Sequence, residues 1–245
     1  MADRKGKKMK DMMQDDDLPK FIRSRGMKFP YDPRVINPRK RRMLRRGEYE
    51  KREVEAVKSL VRPEDVVIEL GAGMGYMSTF MTANLGVREV HAFEANPAMI
   101  PYIHDAHTAN DVQNVTVHNA LLGPRKGSAK FYVRENFVAS SMQENPKGEK
   151  SPVTSVETIE VRNIKQAFRD IKPTVLVCDI EGAEAALLPA ADLSGLRAAV
   201  VELHPQWIGE VGVRAVFDAM HGAGLTYYPL LSDKKVVTFR KDWRA

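Results

Sequence analysis

The sequence predicts an α/β fold with a mostly parallel sheet and helices on both faces. Three observations in the 245 residues carry this. A β-branched run, Val66-Val67-Ile68, passes through Glu69 into glycines at 71, 73 and 75, and helical spacing follows from Tyr76 to Leu85. A second short apolar strand ends at Glu94, about 20 residues past the glycines, where a Rossmann-like fold places its ribose-binding acid. Strands and helices alternate from there to near residue 222. Such alternation puts the site at the C-terminal ends of the strands.

Taken in order, residues 1 to about 30 mix Lys, Asp and Met with few aliphatics. That composition predicts disorder or loose packing. Prolines at 30, 33 and 38 punctuate the next stretch, and RKRRMLRR follows from Arg39, read as a solvated basic segment. Together, residues 1–47 form a basic N-terminal arm ahead of a domain at 48–245. Val54, Val57, Leu60 and Val61 share one face of a helix over 48–61. Strand one is Val66–Leu70 and strand two Glu89–Phe93. Pro97 opens a helix to Ala109, since proline favours the first helical turn. Strand three is Val115–His118. Extra β structure is expected over 127–134 and 153–161, with a polar lid or substrate loop between them at 136–151. Strand four is Thr174–Asp179, followed by a helix near Gly182. Strand five is Ala198–Leu203. A helix over 211–222 and a hairpin, 225–230 with 235–239, close the domain.

Charge is uneven. Residues 1–52 carry 18 Lys and Arg against 8 Asp and Glu, and the remainder 20 against 24. The basic excess is therefore a property of the arm, which suits nucleic acid, an acidic glycan, an anionic membrane or a second subunit. It lacks interleaved aromatics for base stacking. The single cysteine, Cys178, excludes an internal disulfide framework and a multi-cysteine zinc site. With no bilayer-length apolar run and no secretory signal, a cytoplasmic setting is expected.

The glycine turn admits a ligand to bare backbone. Its spacing is Gly-x-Gly-x-Gly, where a dinucleotide fold prefers Gly-x-Gly-x-x-Gly. Glu69, just before it, suits a ligand with a positive amino group better than a pyrophosphate.

Four blocks then resemble the FkbM family of S-adenosylmethionine-dependent methyltransferases. They are IELGAGMGYMS from Ile68, FEANP from Phe93, NALLG from Asn119 and VCDIEGAE from Val177. VTSVETIE from Val153 resembles a fifth family segment. The last of the four blocks is the most particular to the family. The resemblance implies a class I methyltransferase sheet of seven strands, the last antiparallel. It implies S-adenosyl-L-methionine as cofactor. Glu69, Gly71, Ala72, Gly73 and Tyr76 would line the methionine end. Glu94 would hold the ribose, with Ala95 and Asn96 beside the adenosine. Asn119, Ala120 and Leu121 would flank the adenine. Ser140 and Ser141 match a segment that approaches the cofactor. Asp179 would face the methyl-transfer site.

Methyl transfer from a sulfonium is mainly a problem of alignment. A hydroxyl acceptor also sheds a proton, so a carboxylate or imidazole within reach helps. Asp179, Glu181 and His204 are the candidates, with Glu184 and Glu202 beside them at the exits of strands four and five. Asp179, Glu181 and His204 also form a possible metal set, but a metal-free site is the expectation. The leading reading is O-methylation of a small molecule or glycan. An RNA or DNA methyltransferase using the basic arm ranks next, then a noncatalytic cofactor-binding module. The Asn/Asp-Pro-Pro-aromatic block of base N-methylation is absent at strand four, which argues against methylation of a base nitrogen.

Overall fold

The computed structural model describes residues 19–144 and 150–243. The chain opens with a hairpin, β1 (Phe21–Ser24) and β2 (Met27–Pro30), then helices α1 (Pro38–Arg46) and α2 (Lys51–Leu60). The central elements are β3 (Val66–Leu70), α3 (Tyr76–Ala83), β4 (Glu89–Glu94), α4 (Ile100–Ala109) and β5 (Val115–Asn119). Three strands follow: β6 (Leu121–Gly123), β7 (Gly127–Arg134) and β8 (Val153–Asn163). The C-terminal half holds α5 (Ile164–Ile171), β9 (Val175–Cys178), α6 (Glu184–Leu187), β10 (Ala198–Glu202), α7 (Pro205–Gly222), β11 (Thr226–Tyr227) and β12 (Val236–Arg240).

The main sheet has seven strands in the order β11-β12-β10-β9-β3-β4-β5. The last strand, β12, pairs antiparallel with both β10 and β11, while β10, β9, β3, β4 and β5 run parallel. This is the class I methyltransferase architecture that the resemblance implied. β6, β7 and β8 make a separate three-stranded sheet.

The period of two along the buried strands sorts their side chains into two cores. Val67, Val175, Val177 and Val200 join the hairpin and α2, α3 and α4 on one face. Ile68, Leu176, Cys178 and Val201 join α5, α6 and α7 on the other. At the N-terminal ends of the strands, Asp65 accepts from Thr174 Oγ1 at 2.7 Å and Arg197 Nε at 2.8 Å. That clamp ties β3, β9 and β10 at the end opposite the site.

The expectation of a loose N-terminus fails for residues 21–30. Ile22, Met27 and Phe29 are buried and belong to the first core, and Phe29 stacks on Tyr76 with centroids 5.1 Å apart. Alternation in short strands sends these few apolar residues all to one side, so a low apolar content is enough. The basic run is also not wholly solvated. Asn37 caps α1 by accepting from Lys40 N, Gly47 closes it at φ 65°, and Lys40 and Leu44 are buried. Residues 1–18 of the expected arm lie outside the described residues. So do 145–149 of the expected loop, whose described part includes a 3-10 turn over 137–139 and a bridge between Ser141 and Tyr132. The helix expected at 211–222 begins earlier, at Pro205, and breaks at Gly209.

Candidate active site

The glycine turn lies where β3 meets α3. Gly71 N–H and Ala72 N–H both donate to Phe93 O at 3.0 Å. Gly71 sits at φ 87°, and a Cβ there would lie 1.8 Å from Asp179 O. No side chain fits, so β3 and β9 exit side by side and leave bare backbone between them. Gly73 N–H donates to Glu94 Oε2 and Asn96 N–H to Glu94 Oε1, each at 2.7 Å. Glu94 is thus fixed across the turn, and burial pushes its carboxyl up to about 7. Asn119 donates to the carbonyls of Glu94 and Ala95 at 3.0 and 3.1 Å, so it shapes the strand exits. Asn96 bridges to Phe137 O at 3.0 Å. Ala120 is buried and Leu121 half-buried beside this edge. Ser140 Oγ accepts from Arg134 N–H, and Ser141 pairs with Tyr132 on β7.

The Tyr76 side chain is held from the N-terminal side. Its hydroxyl meets Ser24 Oγ at 3.0 Å, and its ring packs against Phe29 and Tyr49. It braces the wall of the turn.

An acidic recess opens at the exits of β3, β9 and β10. Glu50, Glu53, Glu69, Asp179 and Glu202 line it, together with Gly71, Ala72 and Met77. Glu69 is 2% exposed, and its Oε2 has no hydrogen-bond partner. Burial raises its carboxyl well above the usual range. Burial and the charges of Glu53 and Asp179 push Glu50 up to about 8. Sequence reasoning missed Glu50 and Glu53, because no local pattern marks them. Glu50 does carry a backbone signal, a left-handed φ of 45° on a non-glycine residue.

The catalytic candidates do converge. His204 Nε2 lies 3.2 Å from Glu181, 3.6 Å from Asp179 and 4.0 Å from Glu202, and its Nδ1 lies 3.4 Å from Glu184. Glu184 is fully buried and accepts from Gly182 N–H and His204 N–H, each at 2.8 Å. Glu181 is held at φ 50°, which turns it back toward the ring. This arrangement bears on the reading of His204 as a base. Burial opposes its charge, but Glu181 and Glu184 outweigh burial and push the imidazole up to about 10. Near neutral pH it already holds the proton it would need to take. The donor atoms of Asp179, Glu181 and His204 lie within 4.8 Å of one another. The imidazolium is itself the cation these carboxylates gather around. Asp179 is different: burial, then the charges of Glu202 and Glu181, push it up to about 7, and its Oδ1 makes no hydrogen bond, with His204 Nε2 3.6 Å away.

The sequence profile of the methyltransferase FkbM domain matches residues 69–227. The chain belongs to the FkbM methyltransferase family. Its cofactor is S-adenosylmethionine, and the residues suit that molecule. The buried Glu69 Oε2, which makes no hydrogen bond, would suit a positive amino group, the Gly71 cradle excludes side chains, and Glu94 would suit hydroxyls. The methyltransferase also shares 31% identity over 87 residues with ribosomal protein L11 methyltransferase from Thermoanaerobacter sp. (strain X514), which is 35% of this chain and 28% of that protein. The chain therefore matches under a third of that relative's length. Among solved structures, it is similar to precorrin-6y C5,15-methyltransferase from Geobacter metallireducens GS-15, at TM-score 0.45 and 16% identity over 78% of this chain and 89% of that one. It is also similar to M. jannaschii TYW2 in complex with AdoMet, at TM-score 0.47 and 14% identity over 89% and 82%.

Proposed function

We propose that this methyltransferase methylates a hydroxyl oxygen of a small molecule or glycan, with Asp179 as the group that takes the hydroxyl proton. The supporting observation is Asp179 itself, whose Oδ1 makes no hydrogen bond and whose pKa of about 7 suits proton uptake near neutral pH. Bound S-adenosylmethionine supplies an electrophilic methyl group on a sulfonium. Gly71, Gly73 and Glu94 orient it, with Asn96, Ala95, Asn119, Ala120 and Leu121 around the nucleoside half and Ser141 near by. His204, held by Glu184 and Glu181, keeps the charge of the carboxylate cluster in balance and fixes the β10 exit. Asp179 would take the proton that the acceptor hydroxyl gives up. A cytoplasmic setting goes with this reading. Among the described residues no helix is long and apolar enough to cross a membrane.

Nucleic acid is the second reading. It rests on α1, where Arg39, Arg42, Arg45 and Arg46 are exposed and can meet phosphates. An acceptor screen with isotope-labelled cofactor, read by mass spectrometry, tests both. Label on a hydroxyl oxygen is expected, and Asp179→Asn should slow its appearance by roughly 10²–10⁴-fold. Label on an amine nitrogen would overturn the O-methyl reading, and label confined to RNA would overturn the small-molecule or glycan acceptor.

A further inference from the structure

Trp207 stands at the exits of β9 and β10, and the mechanism above leaves it idle. Its backbone N–H donates to His204 O at 2.8 Å, so it rides on the same turn as the imidazole. Its side chain lies on Gly182: a Cβ there would fall 2.8 Å from Trp207 Cβ and 3.3 Å from its Cγ. Gly182 follows Glu181, whose Oε2 is 3.2 Å from His204 Nε2. The helix α7 breaks at Gly209, at φ 62°, so the first turn that carries Trp207 is set apart from the rest. Trp207 is 51% exposed, and Val211, just past the break, is 82% exposed.

A lone exposed ring is ordinary on a protein surface. What distinguishes Trp207 is its place. In the sheet order, β4 and β5 lie to one side of β3, and β9 and β10 to the other. The proposed nucleoside residues, Glu94 to Asn96 and Asn119 to Leu121, stand at the exits of β4 and β5. The methyl acceptor is thereby left the exits of β9 and β10, where Trp207 neighbours the carboxylate cluster. Asp179, Glu181 and Glu202 lie within 4.0 Å of the His204 ring and outnumber its single charge. That excess turns anions away and leaves oxygens to accept from hydroxyls.

We propose that Trp207 is the acceptor platform: its indole takes the apolar face of a ring, saccharide or aromatic, that carries the hydroxyl to be methylated. The inference rests on the O-methyl reading and narrows its acceptor to hydroxylated rings without a phosphate. The C–H bonds on one face of a sugar ring, or those at the edge of an arene, meet the electron-rich face of the indole. Hydroxyls on the same ring donate to the ionised carboxylates, which only accept. A ring held flat on Trp207 presents its hydroxyls to Asp179 in few orientations, which is what alignment for methyl transfer requires.

Trp207 and Trp243 are the two tryptophans of the chain, so Trp243→Phe leaves a single indole N–H signal. With S-adenosylhomocysteine bound, that signal is followed in proton–nitrogen correlation spectra against methyl α-D-glucopyranoside, catechol, sorbitol and glucose 6-phosphate. At least one of the two neutral rings should shift it saturably; the glucoside assigns a saccharide and catechol an arene. Sorbitol has the hydroxyls of a sugar without the ring face, and glucose 6-phosphate adds an anion, so both should leave it in place. By calorimetry, Trp207→Ala should weaken the responding ring roughly 5–30-fold, and Trp207→Phe much less, with S-adenosylhomocysteine unchanged in both. A signal that neither ring moves, or that sorbitol or glucose 6-phosphate moves as far, overturns the inference. So does a Trp207→Ala protein that binds the ring as before, or that loses S-adenosylhomocysteine in step, which would make Trp207 a purely structural residue. No methyl is transferred in these measurements, so their failure is distinct from that of the O-methyl reading, which label on a nitrogen shows.

Discussion

Glu94 does two jobs with one carboxylate. It ties Gly73 and Asn96 together across the turn, and under the proposed function its remaining lone pairs would take ribose hydroxyls. Glu94→Ala should therefore weaken S-adenosylmethionine by about 1–3 kcal/mol, since charge-assisted hydrogen bonds are lost. Calorimetry on folded variant protein measures it, and wild-type affinity would take Glu94 out of the site. Residues such as Glu94 and Asp179 were legible because each ends a strand, and strand ends converge by topology alone. Glu50 was not legible, because it reaches the recess from α2 and depends on how that helix packs over the sheet. The state of His204 was illegible for another reason. An imidazole's charge is set by its neighbours, and Glu184 and Glu181 come to it through the turn after β9, not through their spacing from it in the chain.

At the scale of elements, the central strands announced themselves by continuous apolar runs, and the observed bounds of β3 and β10 follow them closely. The β1–β2 hairpin did not, because strands of four residues carry too little pattern to separate from a solvated arm. Its packing is nonetheless firm. Phe29 is fully buried against Tyr76, and Tyr102 donates its hydroxyl to Pro30 O at 2.7 Å. Phe29→Ala should cost about 3–5 kcal/mol of stability, the usual loss for a buried aromatic. Urea unfolding would show it as a lower midpoint at unchanged slope. A change below about 0.5 kcal/mol would mean the hairpin is dispensable to the fold.

For the whole molecule, the crowd of buried acids sets a pH dependence. The Glu94 and Asp179 carboxyls lie at about 7 in the fold and Glu50 at about 8, all above the carboxylate range of an unfolded chain. Over that interval the folded state binds more protons than the unfolded one, so stability falls as pH rises toward about 8. His204, raised to about 10, adds in the same sense: its contribution is full below about 6.5 and is lost as pH climbs through its folded value. The ligand-free protein should therefore melt at a lower temperature at pH 8.5 than at pH 6.5. Thermal melts across that range decide it, and a rising melting temperature would show that the acids are ionised and compensated.

β3 stands mid-sheet between β4, which follows it closely in the chain, and β9, which emerges some hundred residues later. Asp179 N–H closes on Leu70 O at 2.9 Å, sealing the turn that Gly71 begins. During synthesis one edge of β3 therefore waits, unpaired, until β9 leaves the ribosome, and β10 waits again for β12. At about 5–20 residues per second that wait lasts several seconds or longer, during which an apolar strand edge is open to misassociation. The cofactor's own cradle is the last part of this sheet edge to form, so a nascent chain has no means of being rescued by its ligand until Asp179 is in place.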